Sequence, residues 1–325
     1  MTSTPELVIS IINYRTGPMT VQCIESVMTD IGDIDARVVV VDNASGDGSA
    51  EMVAEWIKAS DTPIPVDLVR SPDNTGFSGG HNQGITSTEA QFYLLLNSDA
   101  IVSKGFFNAL MTAARAAPKD VGLIAPRLAG PDGETQISCF RFPTPISEFS
   151  RAICTGFVSR VLRKHEVAIG TDPKAEEIEW ASFASILIRG EMIRDIGLMD
   201  EGYFLYFEDA EYCLRARNAG WTFGYAPQAT TVHFRGGSGP VKALAASKKR
   251  MPRYYYLSRT RFFYQAHGRL GLLAANAAWY VGRGLAQFRR LAGQIVHPMC
   301  EGEASDIWIG ASSPLSKSGG PADQR

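Results

Sequence analysis

Short apolar runs alternate with longer amphipathic stretches through the first 125 residues of the chain. Five of these runs predict β-strands: Leu7–Ile12, Val38–Val41, Val66–Val69, Phe92–Leu96 and Val121–Ala125. The stretches between them predict helices near residues 18–29, 48–60, 79–88 and 104–117. Val38–Val41 is apolar at every position, which is typical of a strand covered on both faces. The alternation therefore predicts an α/β fold with a doubly wound, mostly parallel sheet.

Polar side chains follow the first four predicted strands at the points where the strands end. They lie in the segments Asn13–Tyr14, Asp42–Ser45, Ser71–Gly76 and Asn97–Asp99. Any one of these segments could be an ordinary turn, because Asn, Asp, Ser and Gly are turn formers. Ligands of such sheets bind beyond the carboxyl ends of the strands. Four polar segments at one edge therefore favour a ligand site there.

The segment Phe204–Cys213 carries an aromatic run that leads directly into Glu208 and Asp209. Leu214, Arg215 and the residues after them continue at helical spacing, so the two acids are expected to open a helix. A carboxylate in a partly apolar pocket suits a general base, because burial raises its pKa towards neutral pH. The alternative is an ordinary first helical turn, where acidic residues interact favourably with the helix dipole.

Composition agrees with a folded protein of 325 residues, 45% of them apolar. The five cysteines form no CxxC pair, which indicates reduced thiols and a cytosolic location. No basic segment followed by an apolar stretch occurs at the N-terminus, so no signal peptide is expected.

Charge is distributed very unevenly along the chain. Residues 1–211 hold 30 acidic and 16 basic residues, whereas residues 212–300 hold 14 Lys and Arg and no acidic residue. An acid-free segment of this length predicts a surface for anionic lipid or another polyanion.

The residues after about position 240 combine basic and aromatic side chains with an Ala- and Leu-rich stretch over 270–291. Arginines interrupt this stretch, which falls short of the ~18 apolar residues that a membrane span needs. We expect residues 242–294 to contact an anionic membrane surface as a helix in the bilayer interface. The alternative is a helical pair packed on the catalytic domain or on a second subunit, and a homodimer stays open.

Five segments, in order along the chain, resemble the signatures of glycosyltransferase family 2. They are Val40–Ser49, Asn74–Phe77 with Asn82 and Gly84, Leu95–Asp99, Phe207–Asp209 and Val232–Phe234. The resemblance covers about residues 7–240 and is strongest to bacterial rhamnosyltransferases and galactofuranosyltransferases. It implies a GT-A fold and inverting sugar transfer from a dTDP- or UDP-sugar to a lipid-linked or polysaccharide acceptor of the cell envelope.

The resemblance also implies a role for individual residues. Asp209 would be the general base and Glu208 would orient the acceptor or tune Asp209, although the two labels could exchange because close carboxylates titrate as a pair. Asp99 and His233 would hold a divalent metal, Mg²⁺ or Mn²⁺, that neutralises the leaving diphosphate. The nucleotide-sugar would contact Asn13, Asp42, Asn74, Gly76, Asn82, Ser98 and Asp99, and the acceptor pocket would hold Trp180, Phe183 and Arg215. For Arg215 we favour an ion pair with an acidic residue over contact with phosphate.

Two residues depart from the family pattern. Asn97 replaces the first carboxylate of the DxD-type element, which is expected to lower metal affinity. Phe183 stands where the Trp-x-x-Gly motif usually has glycine, and a large ring there is expected to reshape the pocket.

Three other functions are alternatives to sugar transfer. A sugar nucleotidyltransferase would need a Gly-rich phosphate loop, which Asn13–Gly17 matches poorly. A non-catalytic nucleotide-sugar-binding homologue would explain Asn97 and Phe183 but not the retained Asp99, Asp209 and His233. Nucleic-acid binding would use the C-terminal arginines and aromatic residues, but lipid phosphate explains the same charges, and no nucleic-acid partner is expected.

The domain organisation follows from these patterns. Residues 1–240 are expected to form the GT-A catalytic domain, with a nucleotide-sugar half over about 1–125 and an acceptor half over about 126–240. Residues 241–300 would form a basic, aromatic helical extension, and residues 301–325 a flexible tail. The expected location is the cytoplasm, peripheral on the inner face of the cell membrane.

Overall fold

An eight-stranded sheet lies at the centre of the structure, a computed structural model that describes residues 4–234 and 241–317. Its strands are β1 Leu7–Asn13, β2 Ala36–Asp42, β3 Val66–Arg70, β4 Phe92–Asn97, β5 Ala100–Val102, β6 Val121–Ala129, β9 Ser185–Arg189 and β10 Thr222–His233. Two further strands, β7 Cys139–Phe140 and β8 Trp180–Ala181, form a separate two-stranded sheet. The helices are α1 Gly17–Asp30, α2 Ser49–Ala59, α3 Gly76–Thr86, α4 Phe106–Ala116, α5 Pro145–Ile153, α6 Gly156–Val161, α7 Gly190–Ile196, α8 Glu208–Asn218, α9 Val241–Ala246, α10 Arg253–Leu291 and α11 Glu303–Asp306. Two short 3₁₀ helices cover Arg163–His165 and Ala175–Glu177.

The strand order of the large sheet is β3-β2-β1-β4-β9-β6-β10-β5. β1 pairs in parallel with β2 and β4, and β2 pairs in parallel with β3, as the apolar runs predict. β9 is inserted between β4 and β6 and runs antiparallel to both. β5 forms the edge of the sheet, antiparallel to β10. The prediction of a doubly wound, mostly parallel sheet is confirmed, while the antiparallel insertions were not predicted.

The sheet is covered on both faces, which explains why β2 is apolar at every central position. Val38 and Val40 lie in the apolar layer that includes residues of α1 and α4. Val39 and Val41 lie in the opposite layer, with Met192 of α7 and other residues of α7 and α8. Burial of both faces places the polar residues of this half at the strand ends, where the chain leaves the core.

Helix α10 is bent at Gly268, whose φ of 68° is left-handed. Before the bend, the side chains of Tyr254, Tyr256, Phe262 and Phe263 are buried, as are the arginines Arg259 and Arg261. For residues 253–267 the expectation of a membrane-facing surface is therefore wrong, and the alternative of a helix packed on the catalytic domain is right.

Ion pairs between distant parts of the chain explain the burial of these arginines. Arg259 donates to Glu148 of α5 at 2.7 Å, and Arg261 binds Asp200 at 2.8 Å. Burial alone would raise the pKa of Glu148, but Arg151 and Arg259 outweigh it and lower this pKa to about 2. The acidic residues that neutralise Arg259 and Arg261 thus come from the acidic first part of the chain.

The described part of the predicted tail, residues 301–317, is folded onto the body of the protein. Ile307 is fully buried, and the carboxylates of Glu303 and Asp306 form ion pairs with Arg151 and Arg250 at 2.5 and 2.7 Å. The expectation of a flexible tail is wrong for these residues. The ion pairs of Glu303 and Asp306 and the buried side chain of Ile307 hold the segment against the body of the protein, although its composition is typical of a loop. Residues 318–325 lie outside the described residues.

Candidate active site

A cavity of about 500 Å³ opens where the polar ends of β1, β2 and β4 meet the loop before α8. Many of the residues predicted from the sequence line it: Asn74, Gly76, Ser98, Asp99, Trp180, Phe183, Glu208, Asp209 and His233. They come from segments up to 159 positions apart in the chain, Asn74 and His233 being the extremes. The fold therefore assembles in one place most of the chemistry that the strand ends and the aromatic run predicted.

Two consecutive residues with positive φ direct the acidic pair into the cavity. Tyr206 and Phe207 have φ values of 71° and 68°, a conformation that residues with side chains rarely adopt. The turn that they form ends at the first residue of α8, so that Glu208 and Asp209 occupy the first turn of this helix. Strained backbone of this kind is concentrated at functional sites, where the surrounding structure holds it in place.

The protonation of the two carboxyls is set mainly by burial. Burial raises the pKa of Asp209 to about 7, although N–H groups of Ala210 and of the Phe183 backbone partly stabilise its charged form. Burial and the neighbouring charge of Asp209 raise the pKa of Glu208 well above its ordinary value. One oxygen of Glu208, Oε2, is buried without a hydrogen-bond partner. The pKa values of both carboxyls are therefore shifted towards neutral pH, and the Asp209 carboxylate is able to accept a proton there.

Asp99 and His233 lie side by side at another wall of the cavity. His233 Nε2 is 3.2 Å from Asp99 Oδ1, and both side chains are largely buried. The pairing of β10 with β5 sets His233 opposite Ala100, the residue after Asp99. A carboxylate oxygen and an imidazole nitrogen together suit Mn²⁺, and the carboxylate oxygen also suits Mg²⁺. Among the described residues no cluster of three or more His, Cys, Asp or Glu side chains occurs, so a metal here would take its other ligands from substrate and water.

Gly76 is required by a close approach of two backbone segments. Its φ is 71°, and a Cβ atom at this position would lie 2.2 Å from the carbonyl oxygen of Phe204. The same carbonyl accepts the N–H of Phe77 at 2.8 Å. Asn43 holds the other side of this turn, because its Oδ1 accepts the N–H of Thr75 and its Nδ2 donates to the carbonyl of Gly76. The close backbone contact at Gly76 therefore connects the nucleotide-sugar half of the protein to the loop before Glu208 and Asp209.

Asn13 and Asp42 take a different place from the one predicted. Neither residue lines the cavity. The Nδ2 of Asn13 donates to Asp42 Oδ1 at 2.7 Å and to Ser49 Oγ at 2.9 Å, and its Oδ1 accepts the Thr20 hydroxyl at 3.0 Å. The prediction that Asn13 offers its amide to the nucleotide is wrong, because the amide is saturated by bonds that fix the strand ends.

Asn82 and Arg215 also lie outside the cavity. The amide of Asn82 is bonded on both sides to the backbone of Met199, at 2.9 and 3.1 Å, so its predicted contact with the nucleotide-sugar is wrong. Arg215 pairs with Glu211 at 3.0 Å and donates to the carbonyl of Ile196 at 2.7 Å. The favoured ion pair is therefore present, and the placement of Arg215 in the acceptor pocket is corrected.

Comparison with known proteins agrees with this geometry. Residues 8–157 match the model of the family described as glycosyl transferase family 2. The chain carries a family 2 glycosyltransferase domain. The enzyme is accordingly a glycosyltransferase, and the resemblance drawn from its motifs is confirmed.

Two curated relatives are similar to this glycosyltransferase over most of their length. A low-salt glycan biosynthesis hexosyltransferase of Haloferax volcanii is 26% identical over 70% of this chain and 67% of its own. An N-acetylglucosaminyl-diphospho-decaprenol L-rhamnosyltransferase of Mycobacterium tuberculosis is 26% identical over 65% of this chain and 72% of its own.

Solved structures show the same fold. A mannosyltransferase from Pyrobaculum calidifontis, in complex with GDP-Man and Mn²⁺, superposes with a TM-score of 0.53 at 16% identity. The superposition covers 97% of this chain and 86% of that one. The predicted GT-A fold of the glycosyltransferase is confirmed.

Phe183 of the glycosyltransferase turns its ring into the core. The side chain is 1% exposed and packs edge-on against Tyr212, with ring centroids 6.1 Å apart. Trp180, the first residue of the same motif, stacks on Phe140 at 4.2 Å and lines the cavity. The large side chain at the position of the usual glycine therefore adds to the core beneath the acidic pair.

Phe183→Gly is expected to destabilise the glycosyltransferase by about 3–5 kcal/mol, the range for removal of a buried Phe side chain. Urea unfolding of the variant would measure this change. Phe157→Gly is the matched control, because Phe157 is largely exposed, and its effect should be limited to helix propensity, about 1 kcal/mol. A Phe183→Gly variant of unchanged stability would show that the ring does not support the core.

Several cavity residues of the glycosyltransferase were missed by sequence reasoning. Tyr254 and Lys242 line the cavity from the C-terminal extension, and Tyr254 packs on Phe204 with ring centroids 5.5 Å apart. Tyr14 and Asn43 line it from the ends of β1 and β2. Both belong to polar segments at strand ends, although neither was predicted as a site residue. No local pattern marks Tyr254 as part of the site, since its partner lies 50 positions earlier in the chain.

Proposed function

We propose that this glycosyltransferase moves a sugar, with inversion at the anomeric carbon, from a dTDP- or UDP-sugar to a hydroxyl group of a lipid-linked or polysaccharide acceptor. The product would belong to cell-envelope glycan synthesis. The observation that carries the proposal is that Asp209 and the Asp99–His233 pair line one cavity. A proton acceptor and a site for a diphosphate are the two groups that such a transfer needs.

The base acts on the acceptor. The carboxylate of Asp209 takes the proton of the acceptor hydroxyl as its oxygen attacks the anomeric carbon, on the face opposite the departing diphosphate. The bond from sugar to acceptor oxygen forms, and the bond from sugar to the diphosphate oxygen breaks. Burial and the charge of Asp209 favour the protonated form of Glu208, whose O–H is able to donate to a substrate oxygen.

Asp99 and His233 would hold the divalent metal, with Ser98 and Asn97 beside them in the cavity wall. When bound, the metal would act as a Lewis acid that neutralises the charge of the leaving diphosphate. The mannosyltransferase of the same fold was solved with Mn²⁺, which supports this reading.

The acceptor side of the cavity is rich in aromatic and apolar residues, among them Trp180, Tyr206 and Tyr254. Aromatic rings suit the apolar faces of sugar rings and tolerate a polar edge at the same time. The rhamnosyltransferase of Mycobacterium tuberculosis is named for a diphospho-decaprenol acceptor, which supports a lipid-linked acceptor here.

A donor screen tests the proposal. The purified protein, with Mg²⁺ or Mn²⁺, is given a panel of dTDP- and UDP-sugars and an extract of lipid-linked acceptors, and released nucleoside diphosphate is measured. Metal-dependent turnover of one donor is expected. Tight donor binding without any transfer would contradict the proposal and favour a non-catalytic nucleotide-sugar-binding protein.

The pH dependence of kcat/KM should report the raised pKa of Asp209. The base works only when deprotonated, so kcat/KM is expected to rise with pH and level off above an apparent pKa near the value of about 7 for this carboxyl. Kinetics from about pH 5 to about pH 9 at constant ionic strength would measure the profile. A profile that stays flat down to about pH 5, as expected for a carboxyl with the ordinary pKa of 3.8, would contradict the assignment.

A further inference from the structure

The second part of α10, residues 269–291, has an apolar face on each side. Its inner face is buried against the protein through Leu272, Ala275, Trp279 and Ala286. The packing is close, since a Cβ atom at Gly282 would lie 2.7 Å from the carbonyl oxygen of Phe149 in α5. This inner face fixes the orientation of the helix and therefore decides which residues point outwards.

The outward residues form a continuous apolar stripe, which we call the outer stripe. Leu270, Phe288 and Leu291 are 82%, 71% and 87% exposed. The other exposed members are Leu273, Ala274, Ala277, Val281 and Leu285. At about 100° per residue, all eight fall within an arc of about 120°, and the stripe is about 30 Å long. A soluble protein rarely leaves an apolar surface of this extent uncovered.

The outer stripe is bordered by positive charge. Helical periodicity places Arg269 along one edge and Arg289 along the other, and none of the four arginines of this segment falls within the arc. Arg289 donates to the carbonyl of Ile153 at 3.0 Å, which sets the start of α6 beside this end of the helix. Phe157 and Val161 of α6 are exposed as well.

Two acidic residues on helices that pack beside α10, Glu148 of α5 and Glu303 of α11, are neutralised by arginines. Glu148 binds Arg151 and Arg259, and Glu303 binds Arg151. Between residues 212 and 300 the sequence contains no acidic residue. The surface around the outer stripe is therefore apolar at its centre and basic at its edges.

We propose that the outer stripe lies in the surface of an anionic phospholipid bilayer, with its apolar side chains among the acyl chains and its bordering arginines at the lipid phosphates. Charge complementarity selects this occupant. A second copy of the chain, docked through the same stripe, would set arginine borders against each other, whereas anionic headgroups attract them. A helix lying in the interface has this combination of apolar and basic faces.

The proposal does not depend on the proposed sugar transfer, and it refines the membrane contact expected for residues 242–294. Residues 256–263 are excluded from the contact because their side chains are buried in the protein. No helix among the described residues is both long and apolar enough to span a bilayer.

Vesicle flotation of the full chain, without donor or acceptor, tests the proposal. The wild-type protein is expected to float with vesicles of phosphatidylcholine and phosphatidylglycerol, and less with phosphatidylcholine alone. The double variant Leu285→Glu with Phe288→Glu should reduce the bound fraction by about tenfold or more, because it sets two charges on the apolar face. Met52→Glu is the matched control, an exposed apolar side chain on α2, and should float like the wild type.

A second variant separates the charge contribution. Arg269→Gln with Arg289→Gln, the two arginines at the edges of the outer stripe, should weaken binding to the anionic vesicles and make it less sensitive to salt. Circular dichroism melting would check that each variant is folded. The proposal is overturned if the wild type fails to float, if the glutamate variant floats equally well, or if sedimentation shows a wild-type dimer that the glutamate variant dissociates.

Discussion

Asp209→Asn is expected to lower kcat by about 10²–10⁴-fold, the range that a positioned general base contributes, while donor binding stays near the wild-type level. The amide keeps the size of the carboxylate and can still accept a hydrogen bond from the Ala210 N–H, which now lies 2.9 Å from Asp209 Oδ1. It cannot take a proton from the acceptor. The loss should therefore fall on turnover, which single-turnover transfer and donor titration would measure separately.

Glu208→Gln is the matched control for this variant. Burial and the charge of Asp209 raise the pKa of Glu208 and favour its protonated form, and the glutamine amide has a shape similar to that of this neutral acid. We expect turnover to fall by much less than in Asp209→Asn. If Glu208→Gln abolished turnover and Asp209→Asn retained it, the roles of the two carboxyls would be exchanged, an outcome that coupled titration of neighbouring acids permits.

His233→Ala is expected to lower turnover at limiting Mn²⁺ by about a hundredfold or more and to raise the Mn²⁺ concentration needed for half-maximal activity. The described residues offer no third His, Cys, Asp or Glu beside Asp99 and His233, so loss of the imidazole leaves Asp99 as the one residue of these types at the site. A change of several kcal/mol in stabilisation of the leaving diphosphate corresponds to at least this factor. Turnover measured over a Mn²⁺ titration would give both quantities.

His165→Ala is the control for the metal prediction, because His165 is exposed and does not line the cavity. Its Mn²⁺ dependence should match that of the wild type. Unchanged Mn²⁺ dependence in His233→Ala, or full activity of the wild type in a chelator, would remove His233 from the metal site.

The parallel half of the fold could be predicted from local pattern. Val38–Val41 is apolar at every position because both faces of β2 are covered, and this two-sided burial is written in consecutive residues. The place of the antiparallel β9 between β4 and β6 could not be predicted in the same way. Its partners lie far away in sequence, and apolar strands of similar composition do not specify which neighbour they choose.

The site residues also divide into those that the sequence predicts correctly and those whose role depends on tertiary contacts. The resemblance to family 2 pointed to Asp99, His233 and Asp209, and all three line the cavity. Asn13 and Asn82 were misassigned because an amide serves equally well as a ligand and as a buried connector, and here both amides are saturated by protein groups. Their hydrogen-bond partners are supplied by tertiary structure that the local sequence does not reveal.

In the C-terminal extension, acidic residues from distant parts of the chain neutralise arginines that the local sequence shows without an acidic neighbour. Arg259 and Arg261 belong to an acid-free segment, yet Glu148 and Asp200 neutralise them inside the protein. The outer stripe of the following helical segment, with the arginines at its edges, keeps the exposed apolar and basic character that the composition suggested.

The anomeric configuration of the transferred sugar tests the central claim most directly. The product formed from the donor that the screen identifies would be isolated, and its anomeric configuration would be determined by NMR and compared with that of the donor. The account predicts transfer with inversion, since one carboxylate, Asp209, activates the acceptor opposite the leaving diphosphate. Retention of configuration, or release of nucleoside diphosphate without transfer to any acceptor, would contradict it.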